Sequence, residues 1–248
     1  IKAFTARNVT RVAAQQQAKD GSVKETLSDG TQVLGMADVK VPGHGTVQVG
    51  VIAFSDNSGD GQWDPREYLV YVPDGYAGQD LPVLVIYPGN TQTDSIFMDS
   101  TLWWQVADQK GVALAFVCET YSASPCSVSH ADSDLFYSAL ITALKEKVDG
   151  KYASLDFTRI YGSGQSAGSM ATQGFVRTNP EFYAAAGSTS GLARPVEGEA
   201  LPAGAGGSIP DFLIVGQSDL ANLLPDLWGS ETSQEWLSYL FEVNKMTN

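Results

Sequence analysis

Residues 157–178 read FTRIYGSGQSAGSMATQGFVRT, and this stretch decides the fold. Its first part, FTRIYGSG, is typical of a short strand, and SAGSMATQGFVRT is typical of a helix. Between them lies Gly164-Gln165-Ser166-Ala167-Gly168, a G-x-S-x-G pattern. In a strand–turn–helix setting, this pattern holds the serine hydroxyl on a sharp turn above the end of a sheet. We therefore predict a turn that exposes Ser166; the alternative is a glycine-rich turn with a solvent-facing serine.

The chain after residue 66 alternates strand-like and helix-like segments. Strands are favoured by EYLVYVP, LPVLVIYPG, VALAFVC, FYAAAGSTSG and DFLIVGQSD, and helices by STLWWQVADQKG, SDLFYSALITALKEKV and ETSQEWLSYLFEVNKM. Such alternation predicts the α/β class, with a doubly wound, mainly parallel sheet that is covered by helices on both faces.

The N-terminal part has a different pattern. Residues 1–20 are polar and favour a helical lead-in, whereas residues 22–55 alternate apolar and polar positions and are broken by turn signals such as PGHG. That alternation is typical of short antiparallel strands. We predict two parts, a helical lead-in with a β-rich extension over residues 1–65 and an α/β domain over residues 66–248.

The composition excludes several partners. The 248 residues carry 28 acidic and 15 basic side chains, a net charge of −13, which repels nucleic acid and anionic lipid surfaces. No apolar run reaches the roughly 18–20 residues that a membrane crossing needs. The start of the chain lacks the apolar core of a signal peptide, so we expect that any targeting segment has been removed.

The two cysteines bear on the compartment. Cys118 and Cys126 lie in VCETYSASPC, where a disulfide would close a small loop. A disulfide favours a protein that is secreted or at the cell surface, and a reduced pair in a cytosolic protein is the alternative.

Further residues complete a predicted catalytic site around Ser166. A serine that attacks a carbonyl forms an oxyanion, which needs two N–H donors. One would be the backbone of Ala167, and the other would come from the loop after LPVLVIYPG, with Asn90 or Thr91 preferred over Gly89. The acid that orients a histidine should follow a later strand, and Asp219 fits, with Asp226 in reserve.

These segments resemble the secreted esterases of the polyhydroxybutyrate depolymerase and feruloyl/acetylxylan esterase group. The resemblance covers roughly residues 66–245, and its best markers are GQSAG, PGNTQT and GQSD. It implies an α/β-hydrolase fold, Ser166 as nucleophile, Asp219 as acid, backbone donors near Asn90 and Ala167, and no cofactor for catalysis. It also implies hydrolysis, through an acyl-enzyme, of a polyester or of an aromatic or acetyl ester. One departure is Pro88-Gly89, where the group usually has His-Gly.

The catalytic histidine is the second departure. The chain has only His44 and His130, both before Ser166, whereas the resemblance implies a histidine beyond TSQEWLSYLFEVNKM. We expect a separate C-terminal chain of the same protein to bring that histidine and the last strand. The alternatives are that His130 or His44 serves Ser166, or that the protein is an inactive secreted binding protein on the same fold. A serine peptidase on this fold also stays open.

A calcium loop is predicted in DNSGDGQWDPRE, residues 56–67. Oxygen ligands at this spacing, with a glycine at the sharp turn, suit a cation of calcium's size, and the role would be structural. The alternative is an acidic hairpin turn. The predicted ligands are Asp56, Ser58, Asp60, Gln62 (through its carbonyl), Asp64 and Glu67.

Overall fold

The computed structural model describes residues 2–54, 65–89, 98, 100–118, 130–192, 209–216, 219 and 230–246. The strands are β1 (Glu25–Thr26), β2 (Gln32–Val41), β3 (Gly45–Ala53), β4 (Pro65–Pro73), β5 (Asp80–Tyr87), β6 (Ala113–Cys118), β7 (Ser154–Gln165), β8 (Ala185–Thr189) and β9 (Asp211–Ile214). The helices are α1 (Lys2–Ala18), α2 (Trp103–Lys110), α3 (His130–Lys147), α4 (Ala167–Thr178) and α5 (Ser230–Val243). None of these helices is both long and apolar enough to cross a membrane.

All nine described strands form one sheet, in the order β1-β2-β3-β4-β6-β5-β7-β8-β9. Strands β1 to β4 pair antiparallel, β4 pairs antiparallel with β6, and the strands from β6 to β9 pair parallel. The predicted α/β class is therefore confirmed. The β-rich N-terminal strands continue this sheet, because β3 pairs with β4 from Gly45↔Pro73 to Ala53↔Pro65.

Helices cover both faces of the sheet, and each face has its own apolar core. On one face α3 and α4 bury side chains such as Leu140, Leu144 and Phe175 against the strands. On the other face α1 and α2 bury Ala14 and Ala107. Strands β4 and β5 have a core on each side, which is why they are nearly continuous apolar runs.

Close packing fixes α1 on the N-terminal strands. A Cβ atom at Gly35 of β2 would be 2.2 Å from the Ala14 carbonyl oxygen, so the helix backbone rests directly on the strand. The carboxylate of Glu67 on β4 is fully buried, and it accepts hydrogen bonds from Arg11 Nε (2.5 Å) and Gln15 Nε2 (2.8 Å). Burying a charge is tolerated when it is paired and hydrogen-bonded, so this contact joins α1 to the sheet.

The parallel strands end together at one edge, which we call the carboxyl edge. Tyr87 at the end of β5 pairs with Gly164 of β7, and Gln165 pairs with Thr189 at the end of β8. In open α/β sheets, ligands bind beyond the carboxyl ends of the strands. Any site at Ser166 therefore lies where this architecture places its ligands.

Candidate active site

Ser166 occupies a sharp turn between β7 and α4. Its backbone has φ 56° and ψ −120°, and it is half-buried. Positive φ is uncommon for a residue with a side chain, and such strain persists only where the surrounding structure holds it. The predicted strand–turn–helix with Ser166 at the turn is therefore present.

The glycines of the motif are required by close backbone contacts. A Cβ atom at Gly164 would be 2.1 Å from the Gly168 carbonyl oxygen. One at Gly168 would be 2.0 Å from the carbonyl oxygen of Tyr87 and 2.5 Å from that of Pro88. Because these neighbours are backbone atoms, any side chain would force the turn, the helix and the end of β5 apart.

Hydrogen bonds tie the turn to β8. The N–H of Ser166 donates to the Thr189 carbonyl (3.0 Å), and the Thr189 hydroxyl donates to the Gly164 carbonyl (3.3 Å). The Ser166 carbonyl accepts the N–H of Met170 (3.2 Å), which lies in the first turn of α4. The backbone of Ser166 is thus held on both sides.

The start of α4 provides one predicted oxyanion donor. Ala167 is the first residue of the helix, and the first N–H groups of a helix have no partner within it. The contact of Gly168 with Tyr87 and Pro88 puts the beginning of the other predicted donor loop beside this helix end. Gly89 is described and buried, whereas Asn90 and Thr91 lie outside the described residues.

Asp219 follows β9 at the same carboxyl edge. Its Oδ2 accepts the Gly216 N–H (2.6 Å), and its own N–H donates to the Gly216 carbonyl (3.0 Å), so a small turn holds it. Because β9 is next to β8 and β8 is next to β7, Ser166 and Asp219 follow strands that are two positions apart in the sheet. Asp226 lies outside the described residues. The catalytic roles of Ser166, Ala167 and Asp219 stay predictions.

The alternative in which His44 serves Ser166 is wrong for a single chain. His44 lies in the turn between β2 and β3, and its carbonyl accepts the N–H of Asp74, which precedes β5. It is therefore near the edge where the parallel strands begin. Four strand spacings of about 4.8 Å, or about 19 Å, also separate β3 from β7. The ring instead lies with Nδ1 2.9 Å from Asp108 Oδ2 and against Trp104.

The alternative that involves His130 stays open. His130 is the first residue of α3, and α3 runs from the carboxyl edge back to the start of β7. The N-terminus of α3 is thus on the same edge as Ser166. The His130 side chain lies outside the described part of the structure.

The aromatic side chains of Tyr87, Trp103 and Trp104 belong to the two apolar cores. Tyr87 is buried, its hydroxyl is 3.0 Å from that of Tyr183, and its ring packs on Phe175. Trp103 and Trp104 are half-buried against the core beneath α1 and α2.

The predicted calcium ligands fall mostly outside the described residues, which include neither Asp56, Ser58, Asp60, Gln62 nor Asp64. Glu67 is described, and its carboxylate is bound by Arg11 and Gln15. Within the described ranges, no three His, Cys, Asp or Glu side chains gather as a metal site would require. Calcium binding stays a prediction.

The disulfide also stays a prediction. Cys118 ends β6, but its side chain and Cys126 lie outside what the structure describes.

One feature near Ser166 is absent from the sequence predictions. The Ser190-Gly191 turn after β8 lies against the serine, because a Cβ atom at Gly191 would be 2.6 Å from the Ser166 carbonyl oxygen. Ser190 itself has φ 58°. The only sequence signal is the small-residue run STSG at the end of a strand.

No family model and no curated protein matches the sequence. Among solved structures, the chain is similar to a thermostable esterase (TM-score 0.53, 21% identity, 78% of this chain and 52% of that chain). It is also similar to an S-formylglutathione hydrolase from Agrobacterium tumefaciens (TM-score 0.50, 16% identity, 79% of this chain and 88% of that chain). A third similar structure is an acetyl xylan esterase from Aspergillus awamori (TM-score 0.45, 19% identity, 64% of this chain and 53% of that chain). The chain spans about half the length of the thermostable esterase.

These similarities bear on the fold. The first two structures, taken with the sheet order and the serine turn, show that the chain has the α/β-hydrolase fold. These two neighbours are an esterase and a hydrolase.

Proposed function

We propose that the protein is a serine carboxylester hydrolase that acts through an acyl-enzyme. The observation that carries the proposal is the strained Ser166 between β7 and α4, with Asp219 at the same edge of the sheet. A strained serine on a strand-to-helix turn is the geometry of the nucleophile in this fold. The thermostable esterase among the structural neighbours agrees with this chemistry.

The reaction would proceed in two displacements. The Ser166 hydroxyl oxygen attacks the ester carbonyl carbon while a histidine takes its proton, and the Ala167 N–H with a donor from Asn90 or Thr91 stabilises the oxyanion. The C–O bond to the alcohol then breaks, and the histidine returns the proton to the departing oxygen. Water, deprotonated by the same histidine, hydrolyses the acyl-enzyme. Asp219 holds the histidine in the required tautomer and stabilises its protonated form.

The histidine, in this proposal, comes from a separate C-terminal chain of the same protein. The exposed flank of β9 supports this source: among the described strands only β8 pairs with it. Phe212 and Ile214 on β9 are 69% and 50% exposed, although strands of parallel sheets are usually buried on both faces. Natural proteins usually cover a strand edge that is left open. A strand from the second chain would pair with the open edge of β9, a helix would cover the exposed face, and a histidine would come near Asp219.

The substrate class follows from the sequence resemblance. A polyester or an aromatic or acetyl ester would be neutral near the scissile bond, and a chain of net charge −13 would not repel it.

We also propose secretion or a cell-surface location, a Cys118–Cys126 disulfide, and calcium in a structural role at residues 56–67. Nucleic acid and membranes are not proposed as partners.

The experiment that tests the proposal is intact mass spectrometry of the native protein before and after treatment with a fluorophosphonate, beside hydrolysis of p-nitrophenyl acetate. We expect an adduct on Ser166, a second chain that contains histidine, and ester turnover that Ser166→Ala abolishes. Cleavage of peptides without cleavage of esters would favour the serine peptidase.

Two results would overturn parts of the proposal. An adduct without a second chain, together with loss of reactivity in His130→Ala, would assign the histidine to this chain. Neither adduct nor turnover, in a sample that contains both chains, would favour the inactive binding protein.

A further inference from the structure

Two polar side chains of α4 are buried beside the serine turn. Ser169 and Gln173 have no exposed surface, although glutamine is among the residues that are mostly exposed in proteins. Burial of an amide or a hydroxyl is unfavourable unless it forms hydrogen bonds. The partners of these two side chains therefore indicate why they are there.

Both side chains donate to one backbone carbonyl, that of Gly191. The Ser169 hydroxyl donates to it at 2.7 Å, and Gln173 Nε2 donates to it at 2.8 Å. Gln173 Nε2 is also 3.1 Å from both the carbonyl and the hydroxyl oxygen of Ser169. Two buried donors, linked to each other, thus fix a single point of the turn after β8.

This turn braces the nucleophile. Gly191 lies so close to the Ser166 carbonyl that even a Cβ atom on the glycine would not fit. Ser166 also donates its N–H to the carbonyl of Thr189, the residue just before the Ser190-Gly191 turn. Ser190, between them, also has positive φ and donates its N–H to Ile214 of β9. Two strained residues lie side by side here, and strain of this kind persists only where neighbours over-determine the backbone.

We infer that Ser169 and Gln173 are positioning residues, which hold Ser166 in its reactive conformation through the Gly191 carbonyl. Neither touches the reacting atoms: each acts on the Ser190-Gly191 turn, and that turn acts on the backbone of Ser166. The same turn connects to β9, after which Asp219 lies. The catalytic part of this inference rests on the proposed function, whereas the backbone part stands without it.

The test compares Gln173→Met, which keeps the side-chain length but removes the donors, with Gln48→Met. Gln48 is a matched control because it is also buried and donates to the Lys147 carbonyl (3.1 Å) and the Tyr152 hydroxyl (3.2 Å), but it lies on β3. Ser169→Ala removes one donor only and is the milder variant if Gln173→Met folds poorly. Each variant is assayed for amide hydrogen exchange at Ser166 and Ser190, for kcat and KM on p-nitrophenyl acetate, and for the rate of fluorophosphonate labelling.

We expect faster exchange at Ser166 and Ser190 in Gln173→Met and Ser169→Ala, but not in Gln48→Met. We also expect kcat and the labelling rate to fall about tenfold to a hundredfold in Gln173→Met, with KM nearly unchanged, because small displacements of a reacting group have effects of this size. Unchanged exchange at both amides in the α4 variants, or an equal change in Gln48→Met, would overturn the inference. If the unmodified protein, in a sample that contains both chains, shows neither turnover nor adduct, the proposed function fails and hydrogen exchange alone decides the backbone part.

Discussion

Gly168 and Tyr87 are in backbone contact: a Cβ atom on Gly168 would be 2.0 Å from the Tyr87 carbonyl oxygen. This contact joins the first turn of the helix after the serine to the end of β5. It also brings the N–H of Ala167 near the loop that begins at Pro88, where the second oxyanion donor is predicted. The last glycine of the motif therefore controls the relative position of the two predicted donors.

The first prediction concerns this contact. Gly168→Ala should lower the free energy of unfolding by about 1–3 kcal/mol or more, since overpacked backbone must shift, and it should abolish ester turnover. Gly187→Ala on β8 is the matched control, because a Cβ atom there would meet no atom within 4 Å. Urea denaturation and turnover of p-nitrophenyl acetate measure both effects. Equal losses in the two variants would contradict the explanation.

The second prediction concerns His44. Because it lies near the opposite edge of the sheet and is bound to Asp108, His44→Ala should leave kcat and fluorophosphonate labelling within about twofold of the unmodified protein. Ser166→Ala gives the inactive reference. Loss of labelling in His44→Ala without loss of structure by circular dichroism would show that His44 from another copy reaches the site.

The elements near the serine could be predicted from the sequence because their signals are local. The apolar run of β5, the glycines around Ser166 and the amphipathic pattern of α3 each depend on neighbouring residues. The order of the strands is not local: β6 inserts between β4 and β5, although β5 comes before it in the chain. Nothing in the separate segments specifies this order.

The site residues show the same difference between local signals and long-range contacts. Ser166 and Asp219 follow strands in the sequence, and the structure brings the ends of those strands to one edge. The Gly191 turn was missed because its bonds to Ser169 and Gln173 span 22 and 18 residues. Glu67 fits a calcium pattern in the sequence, yet its carboxylate is bound by Arg11, 56 residues earlier. Spacing along the chain does not report such long-range partners.

The third prediction concerns that ion pair. Arg11→Met should lower the free energy of unfolding by about 3–5 kcal/mol, because it removes the cation that lies 2.5 Å from the buried Glu67 carboxylate and so breaks that buried pair. Lys24→Met is the control, since it breaks only exposed contacts, those with Asp20 and Ser22, and should change stability little. Urea denaturation at neutral pH measures both. A loss in Arg11→Met no larger than that in Lys24→Met would contradict the anchoring role of Glu67.

The fourth prediction concerns acid stability. The Tyr152 hydroxyl and then Lys151 Nζ hold the pKa of Asp38 below its usual 3.8. A carboxylate whose pKa is lower in the folded chain stabilises it above pH 3.8, and this contribution is lost as the pH falls through the folded pKa. Asp38→Asn should therefore lose less stability than the unmodified protein between about pH 6 and pH 2.5. The difference should be below about 1 kcal/mol, because the Asp38 side chain is 41% exposed.

Urea denaturation at a series of pH values measures this difference. Glu235→Gln is the control, since it removes an exposed carboxylate of α5 for which no contact is described. If Asp38→Asn and the unmodified protein lose stability in parallel, the bonds to Tyr152 and Lys151 do not hold in solution.

The last prediction concerns a buried pair that is poorly bonded. Arg177 Nη2 is 3.7 Å from Asp211 Oδ2, and the two side chains are 3% and 4% exposed. Both Asp211 oxygens, together with Nε and Nη1 of Arg177, are buried without a hydrogen bond in the described structure. Burial raises the pKa of Asp211 and lowers the pKa of Arg177, because the loss of hydration destabilises the charged form of each side chain.

Arg177→Met alone should therefore lower the free energy of unfolding by about 3–5 kcal/mol, because it leaves the Asp211 carboxylate buried without a cation. The double variant Arg177→Met/Asp211→Leu should recover most of that loss or exceed the unmodified protein, since apolar replacements of buried ion pairs are often neutral or stabilising. A double-mutant cycle by urea denaturation, with Asp211→Leu as the fourth member, measures the coupling. Additive losses would mean that the two charges are independently hydrated in solution and do not stabilise each other.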